Sequence, residues 1–220
     1  MVKETPAPTA KSRRVQDRSV VTRNKLLSAA LAAFSEHGFE GTSTRAIADR
    51  ADVHHPLITY HFDNKLTLWK AAVDAAFQGI VEQFEAAITE LAAKPTQQQL
   101  QALIRVYVQF AADHPQLHRM IMHESALPNE RLDWLGERYL KPLYRFGEQA
   151  IRRGQAEGVV VPGDPALIYN LLRMGGSALF AASHEIRQTT GLDVCQPATI
   201  DELVNMLSAA FMFRRNPSND

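Results

Sequence analysis

TRAIADRADVHHPLITYHFDNK, residues Thr44 to Lys65, is the stretch on which the interpretation of this chain turns. In its first part Ile47, Ala48 and Ala51 fall on one face of a short helix, with Thr44 placed to cap it. Asp52 follows where the chain must turn, and aspartate tolerates the left-handed backbone conformation better than most residues. A second short helix is expected to start near His54. Pro56 suits its first turn, where amides have no intrahelical partner, and Leu57 or Ile58 with Phe62 supplies an apolar anchor. Asp63 and Asn64 then cap a longer helix. His54, His55 and His61 could be a metal cluster or the exposed face of a helix that contacts something large. Adjacent histidines on a helix diverge, and neither a cysteine nor a carboxylate completes a tetrahedral spacing, so no metal or cofactor is expected.

Upstream, from Val20, apolar residues Leu27, Ala30, Leu31 and Phe34 recur at helical spacing, and Gly38 follows as a stop. Residues 22 to 62 thus give helix, turn, short helix, tight turn, short helix. That order matches a helix-turn-helix unit, whose last helix enters the major groove of DNA. The charge distribution agrees with this better than the total does. Formal net charge is zero, but residues 1 to 65 carry ten Lys and Arg against seven Asp and Glu. Seven basic residues lie between Lys3 and Lys25 with only two acids. Residues 1 to 18, MVKETPAPTAKSRRVQDR, have little to bury and are expected to be a disordered basic tail.

The remaining two-thirds continues as helices. Apolar spacing holds from Leu68 to Ile88, then over two segments ending near Pro115 and Leu127. A long amphipathic segment follows, in which Pro142 predicts a kink or a late start. VVVPGD is strand-like only in composition, and two final helices are expected over about 165–189 and 199–213. The fold class is all-α with about nine helices. The expected divisions are a tail over 1–18, a helix-turn-helix domain over 19–66 and a helical domain over 67–215. With 45% hydrophobic and 22% charged residues this composition is that of a soluble globular protein. No apolar run spans a bilayer, no signal peptide is visible and Cys195 is the single cysteine, so a cytoplasmic, disulfide-free protein without membrane contact is expected.

TRNKLLSAALAAFSEHGFEGTSTRAIADRADV, then HHPLITYHFDNK, then LTLWKAAV, resembles the DNA-binding domain of TetR-type transcriptional regulators. Phe34, Gly38, Phe39, Thr42, Thr44, Ile47, Ala48, Ala51, Val53, Tyr60, His61, Phe62, Lys65 and Leu68 carry the resemblance. The sequence departs from the family pattern at Asp52, where glycine is usual, at His54-His55-Pro56, and at Thr59, where an aromatic is common. DNA-contact candidates are Thr44 and Arg45 on phosphate, then His54, His55, Leu57, Thr59, Tyr60 and His61 on the short helix and its exit. The resemblance adds Lys65 as a phosphate contact. Phosphate contacts set register, and base contacts set specificity.

The resemblance also implies a homodimer on an operator of double-stranded DNA, a small-molecule effector, and an operator released when the effector binds. The last two helices are the expected interface. One carries Leu167, Leu171, Leu172, Met174, Gly175, Ala178 and Leu179, and the other Leu203, Met206, Leu207, Ala210 and Phe211. Candidates for the lining of an effector cavity are Tyr107, Phe110, His114, His118, Met122, His123, Trp134, Tyr144, Tyr169, Arg173 and Phe180. Arg173 stands among Leu171, Leu172 and Met174, where a charge needs an acid or an anionic ligand as partner. The alternatives are a helical metal-dependent hydrolase built on His114, His118, His123 and Glu124, or a protein-binding adaptor. No phosphate loop, nucleophile elbow or HExxH supports catalysis, and the chain is not expected to be an enzyme.

Overall fold

The computed structural model describes residues 10–213, with side chains from residue 18. Eleven α-helices and one π-helical turn are present among the described residues, and the only β pairing is an isolated bridge between Val160 and Met212. The chain divides into two compact units, Met1–Ala75 and Ala76–Asp220. The all-α expectation holds, and the expected helix-turn-helix segment 19–66 lies inside the first unit.

In the first unit α1 runs Ala10–Gly41, so part of the segment expected to be disordered is helical. Residues 1–9 of that expected tail lie outside the described residues. The end of α1 is broken at Gly38, whose φ of 67° and ψ of 178° belong to a region open essentially to glycine alone. The buried Thr42 hydroxyl ties this break down by donating to the carbonyl oxygens of Gly38, at 2.7 Å, and Ala33, at 3.2 Å. α2 spans Thr44–Arg50 and is capped by Ser43, whose hydroxyl accepts from the Ala46 amide. The expected cap, Thr44, is instead the first helical residue. Asp52 adopts the expected left-handed conformation, with φ at 53°. Replacing Asp52 with glycine relieves that conformational cost and is expected to stabilise the protein by about 0.5 kcal/mol, read from urea unfolding.

α3 spans Pro56–His61 and α4 Lys65–Leu91, with the Asn64 side chain accepting from the Thr67 amide at the start of α4. Leu26, Phe34, Ile47, Leu68 and Trp69 are fully buried, and Ile58 and Phe62 nearly so. Each such aliphatic or aromatic side chain contributes about 1.5–3 kcal/mol on leaving water, which fixes the two short helices on the first.

The second unit comprises the later turns of α4 with α5 (Thr96–Asp113), α6 (Pro115–Ser125), α7 (Glu130–Leu135), α8 (Lys141–Ala156), α9 (Pro165–Ala181), α10 (Ser183–Thr190) and α11 (Pro197–Phe211). The two helices beyond the expected nine come from splitting. The segment around Pro142 divides into α7 and α8 across the π-helical turn Gly136–Leu140, in which the Lys141 amide donates to the Gly136 carbonyl oxygen. Proline cannot donate to the ladder, and this widened turn leads the chain into it. The segment 165–189 divides at Ala182 into α9 and α10.

Two apolar clusters hold the unit together. One gathers Val108, Phe180, Val194, Ile200 and Val204, with Leu203 and Leu207 packed against them. The other gathers Leu100, Ile151, Val160, Ile168 and Met212, with Leu172 and Phe211 against it. Thus Leu172, Leu203, Leu207 and Phe211, expected at an interface between copies, pack inside their own protomer. Leu167, Leu171, Leu179 and Met206 stay exposed. The expected close helix approach through small residues also occurs within the chain. A β-carbon on Gly175 would lie 3.1 Å from Leu207, and one on Gly176 3.1 Å from the Tyr107 ring.

Candidate nucleic-acid interface and ligand cavity

Ile58 and Phe62 are buried, so the helical repeat turns the remaining residues of α3 outward. His54, His55, Pro56, Thr59 and Tyr60 are exposed, and Leu57 and His61 are half-buried. Tyr60 is 75% exposed, with its ring meeting His61 edge-on at 4.9 Å between centres. Arg45 is exposed beside this surface on α2. The Thr44 hydroxyl lies 3.0 Å from His55 Nε2 and joins the start of α2 to the start of α3. A bidentate pair between Arg50 and Glu36, at 2.8 and 2.6 Å, anchors α2 to α1 from the other side.

Lys65 is half-buried and already engaged. Its ammonium donates to the Thr42 carbonyl oxygen at 3.0 Å and lies 4.3 Å from the centre of the Phe39 ring. It thereby ties α4 to the turn before α2, and an ammonium retains two further donors for a phosphate. His61 is held below its ordinary pKa, first by burial and then by the Arg23 charge. Arg23 itself lies over the Phe62 ring at 5.4 Å. Sequence inspection missed the supporting roles of Ser43, Phe39 and the buried Thr42 hydroxyl. Thr42 and Phe39 stood out only as matches to a pattern, because a hydroxyl that closes a kink has no spacing of its own.

The second unit contains an apolar cavity of about 120 Å³. Phe84 of α4, Leu100, Leu103, Ile104 and Tyr107 of α5, Leu143, Phe146, Gly147, Ala150 and Ile151 of α8 and Tyr169, Leu172 and Arg173 of α9 line it, with Val160, Phe211 and Met212. Three of the eleven expected lining residues, Tyr107, Tyr169 and Arg173, are in this wall, and eight lie outside it. Phe110 and Phe180 are core. Met122 and His123 face solvent. His114 packs on Phe110, Trp134 on Tyr139, and Tyr144 edge-on against Tyr169. The aliphatic lining was not foreseen, since apolar residues at helical spacing look the same whether they face a core or a cavity.

His118 is buried between the rings of Tyr107 and Phe110, and its Nε2 has no hydrogen-bond partner among the described residues. Burial, then the charges of Arg173 and His114, push its pKa from 6.5 down to about 4. The folded state therefore binds this proton less readily than the unfolded chain. The stability it protects is complete above pH 6.5 and is lost as pH falls toward 4. Wild type is expected to lose about 2 kcal/mol from this group between pH 7 and pH 5. Urea titrations at the two pH values check this, and His118→Leu is expected to remove that part of the difference.

Comparison with known proteins places this geometry in a class. The model of bacterial regulatory proteins of the tetR family matches residues 26–72, and the tetracyclin repressor-like C-terminal domain matches residues 97–210, more than half of the chain. The chain belongs to the TetR family of bacterial regulatory proteins. It is similar to the probable HTH-type transcriptional regulator YttP of Bacillus subtilis, 31% identical over 58% of this chain and 62% of that one. It is also similar to the HTH-type transcriptional activator FasR of Mycolicibacterium smegmatis, 29% identical over 47% of this chain and 46% of the relative. The matches thus span less than two-thirds of those relatives. Among solved structures, a linker-substituted mutant of HlyIIR has a TM-score of 0.71 at 18% identity, covering 90% of this chain and 99% of its own. A TetR family transcription regulator from Marinobacter aquaeolei has a TM-score of 0.64 at 18% identity, covering 90% and 100%. At these identities the structures speak for the fold alone.

Proposed function

We propose that this protein is a DNA-binding transcriptional regulator of the cytoplasm, a homodimer that represses from its operator and lets go when a small molecule fills the cavity of its second unit. The observation that carries this reading is the exposed face of α3, where His54, His55, Thr59 and Tyr60 stand out from a helix anchored by Ile58 and Phe62. A short helix with polar and aromatic tips, tied at its start to α2 through Thr44 and His55, suits the major groove. Thr44, Arg45, His61 and Lys65 surround it and are assigned to the DNA backbone, while His54, His55, Leu57, Thr59 and Tyr60 are assigned to base edges and thymine methyls.

The exposed apolar residues Leu167, Leu171, Leu179 and Met206 support a contact between two copies through α9 and α11. Among the described residues no helix is long and apolar enough to cross a membrane. Release follows from linkage, because an effector and an operator that favour different dimer geometries weaken each other equally. α4 supports this coupling by carrying Lys65 at its start and Phe84, in the cavity wall, further along. The test is fluorescence anisotropy of the full chain on DNA flanking its own gene, across a salt series. Binding that falls steeply with salt and discriminates against unrelated duplex supports the reading. Equal affinity for both duplexes overturns it.

A further inference from the structure

The cavity of the second unit is walled almost entirely by hydrocarbon, yet one of its lining residues carries a charge. Arg173 is the single charged residue of the lining, and no Asp or Glu contributes to the wall. Its side chain is half-buried, and among the described residues no carboxylate lies within 4 Å of its guanidinium. Several arginines of this unit are matched by a carboxylate. Arg105 pairs with Asp201, Arg131 with Glu124 and Arg152 with Glu148. The backbone beneath Arg173 is fixed, since the Tyr107 and Ser177 hydroxyls both donate to its carbonyl oxygen, at 3.1 and 2.8 Å.

Beside it stands Tyr169, whose hydroxyl has no hydrogen-bond partner among the described residues. Burial raises the Tyr169 pKa to about 12, so the phenol keeps its proton and remains a donor. The Tyr169 ring is confined as well. A β-carbon on Gly147 would come within 2.6 Å of it, and Tyr144 packs on it edge-on with ring centres 5.3 Å apart. A guanidinium and a phenol with unused donors at an apolar cavity form half of a recognition site for an anion. The cost of keeping a cation there is offset when a ligand supplies the missing charge.

Resting on the proposed role of this cavity as the effector site, we infer that the effector is an amphipathic organic anion. Its apolar chain lies among Phe84, Leu103, Phe146 and Leu172, and its single carboxylate pairs with Arg173 and accepts from the Tyr169 hydroxyl. A second hollow, lined in part by Gln99, Gln149 and Arg153, shares Leu103, Phe146 and Ala150 with the first, which gives the chain of a longer ligand somewhere to extend.

The experiment is calorimetric titration of the full-length protein, free of DNA, with decanoate, decanol and decylamine, three probes that share one chain and differ in head charge. Decanoate is expected to bind at least about tenfold more tightly than decanol, with decylamine weakest. Arg173→Met is expected to erase the preference for decanoate while leaving decanol within about threefold, and Tyr169→Phe to weaken decanoate alone by about threefold. If Arg173→Met does not fold, the ranking of the three probes on wild type together with Tyr169→Phe decides. Equal affinities, preference for the amine, no binding of any probe, or a preference that survives Arg173→Met each overturn the inference. Because no DNA is present, failure here leaves operator binding standing. Failure of the salt-series experiment with decanoate still preferred would instead remove the regulator reading and keep the anion site.

Discussion

Thr59→Glu is expected to lower operator affinity by about 100-fold or more while the protein stays folded. Thr59 is exposed on α3, between the buried Ile58 and the open Tyr60. Its side chain contributes little to packing, and glutamate is a better helix former than threonine. The substitution therefore costs the fold little, and the melting temperature is expected to stay within about 2 °C of wild type. On DNA the same change brings a carboxylate against the phosphate-lined groove, and misplaced like charge costs several kcal/mol, with about 3 kcal/mol corresponding to more than 100-fold. Thr59→Ala separates the two effects, because it removes the side chain without adding charge and is expected to cost about 1 kcal/mol. Anisotropy titrations of both variants at one salt concentration check the prediction. A Thr59→Glu variant that binds like wild type would remove α3 from the interface.

The largest expected loss of stability comes from Arg131→Leu. The Glu124 side chain is 4% exposed, and Arg131 Nε donates to its carboxylate at 2.9 Å. The turn between α6 and α7 is built around this pair. The Asn129 side chain accepts from the amides of Arg131 and Leu132 and donates to the Glu124 carbonyl oxygen. Removing the arginine leaves a carboxylate out of water with its main counter-charge gone, an error that costs about 3–5 kcal/mol. Replacing both partners with leucine removes the stranded charge together with the pair, and the double variant is expected to recover most of the loss. Urea unfolding of the two variants measures this, and a double variant no more stable than Arg131→Leu would contradict it. The same contact disposes of Glu124 as a free ligand beside His114, His118 and His123.

Much of the first unit was legible because its constraints are local. Asp52 announces a left-handed turn, Pro56 a helix start, Asn64 a cap, and Phe62 with Leu57 or Ile58 the apolar side of α3, of which Ile58 is the buried one. The error there was one position wide. Ser43 and Thr44 both carry a hydroxyl able to cap, and only the extended backbone of Ser43 separates them. The engagement of Lys65 by Thr42 and Phe39 depends on a contact 23 residues away and has no signature in spacing.

The second unit was legible as helices and far less so as a site. Arg173 could be singled out because a charge among leucines demands explanation, and it does line the cavity. Phe84, Leu103 and Phe146 could not, since nothing in an apolar face says whether it meets a neighbour or an empty space. The same ambiguity holds for Leu203 and Leu207, which were expected between copies and pack, half-buried, against the core of one. An amphipathic helix declares that it is covered, and leaves open by which chain.

The most direct test of the central claim, that the exposed face of α3 contacts DNA as one half of a symmetric reader, is hydroxyl-radical footprinting of the full-length protein on the DNA flanking its own gene. Two protected patches are expected, related by approximate two-fold symmetry and centred about one helical turn or a whole multiple of it apart, and both are expected to vanish together with Thr59→Glu. Protection that is uniform along the duplex, or patches that persist unchanged in that variant, would contradict the account.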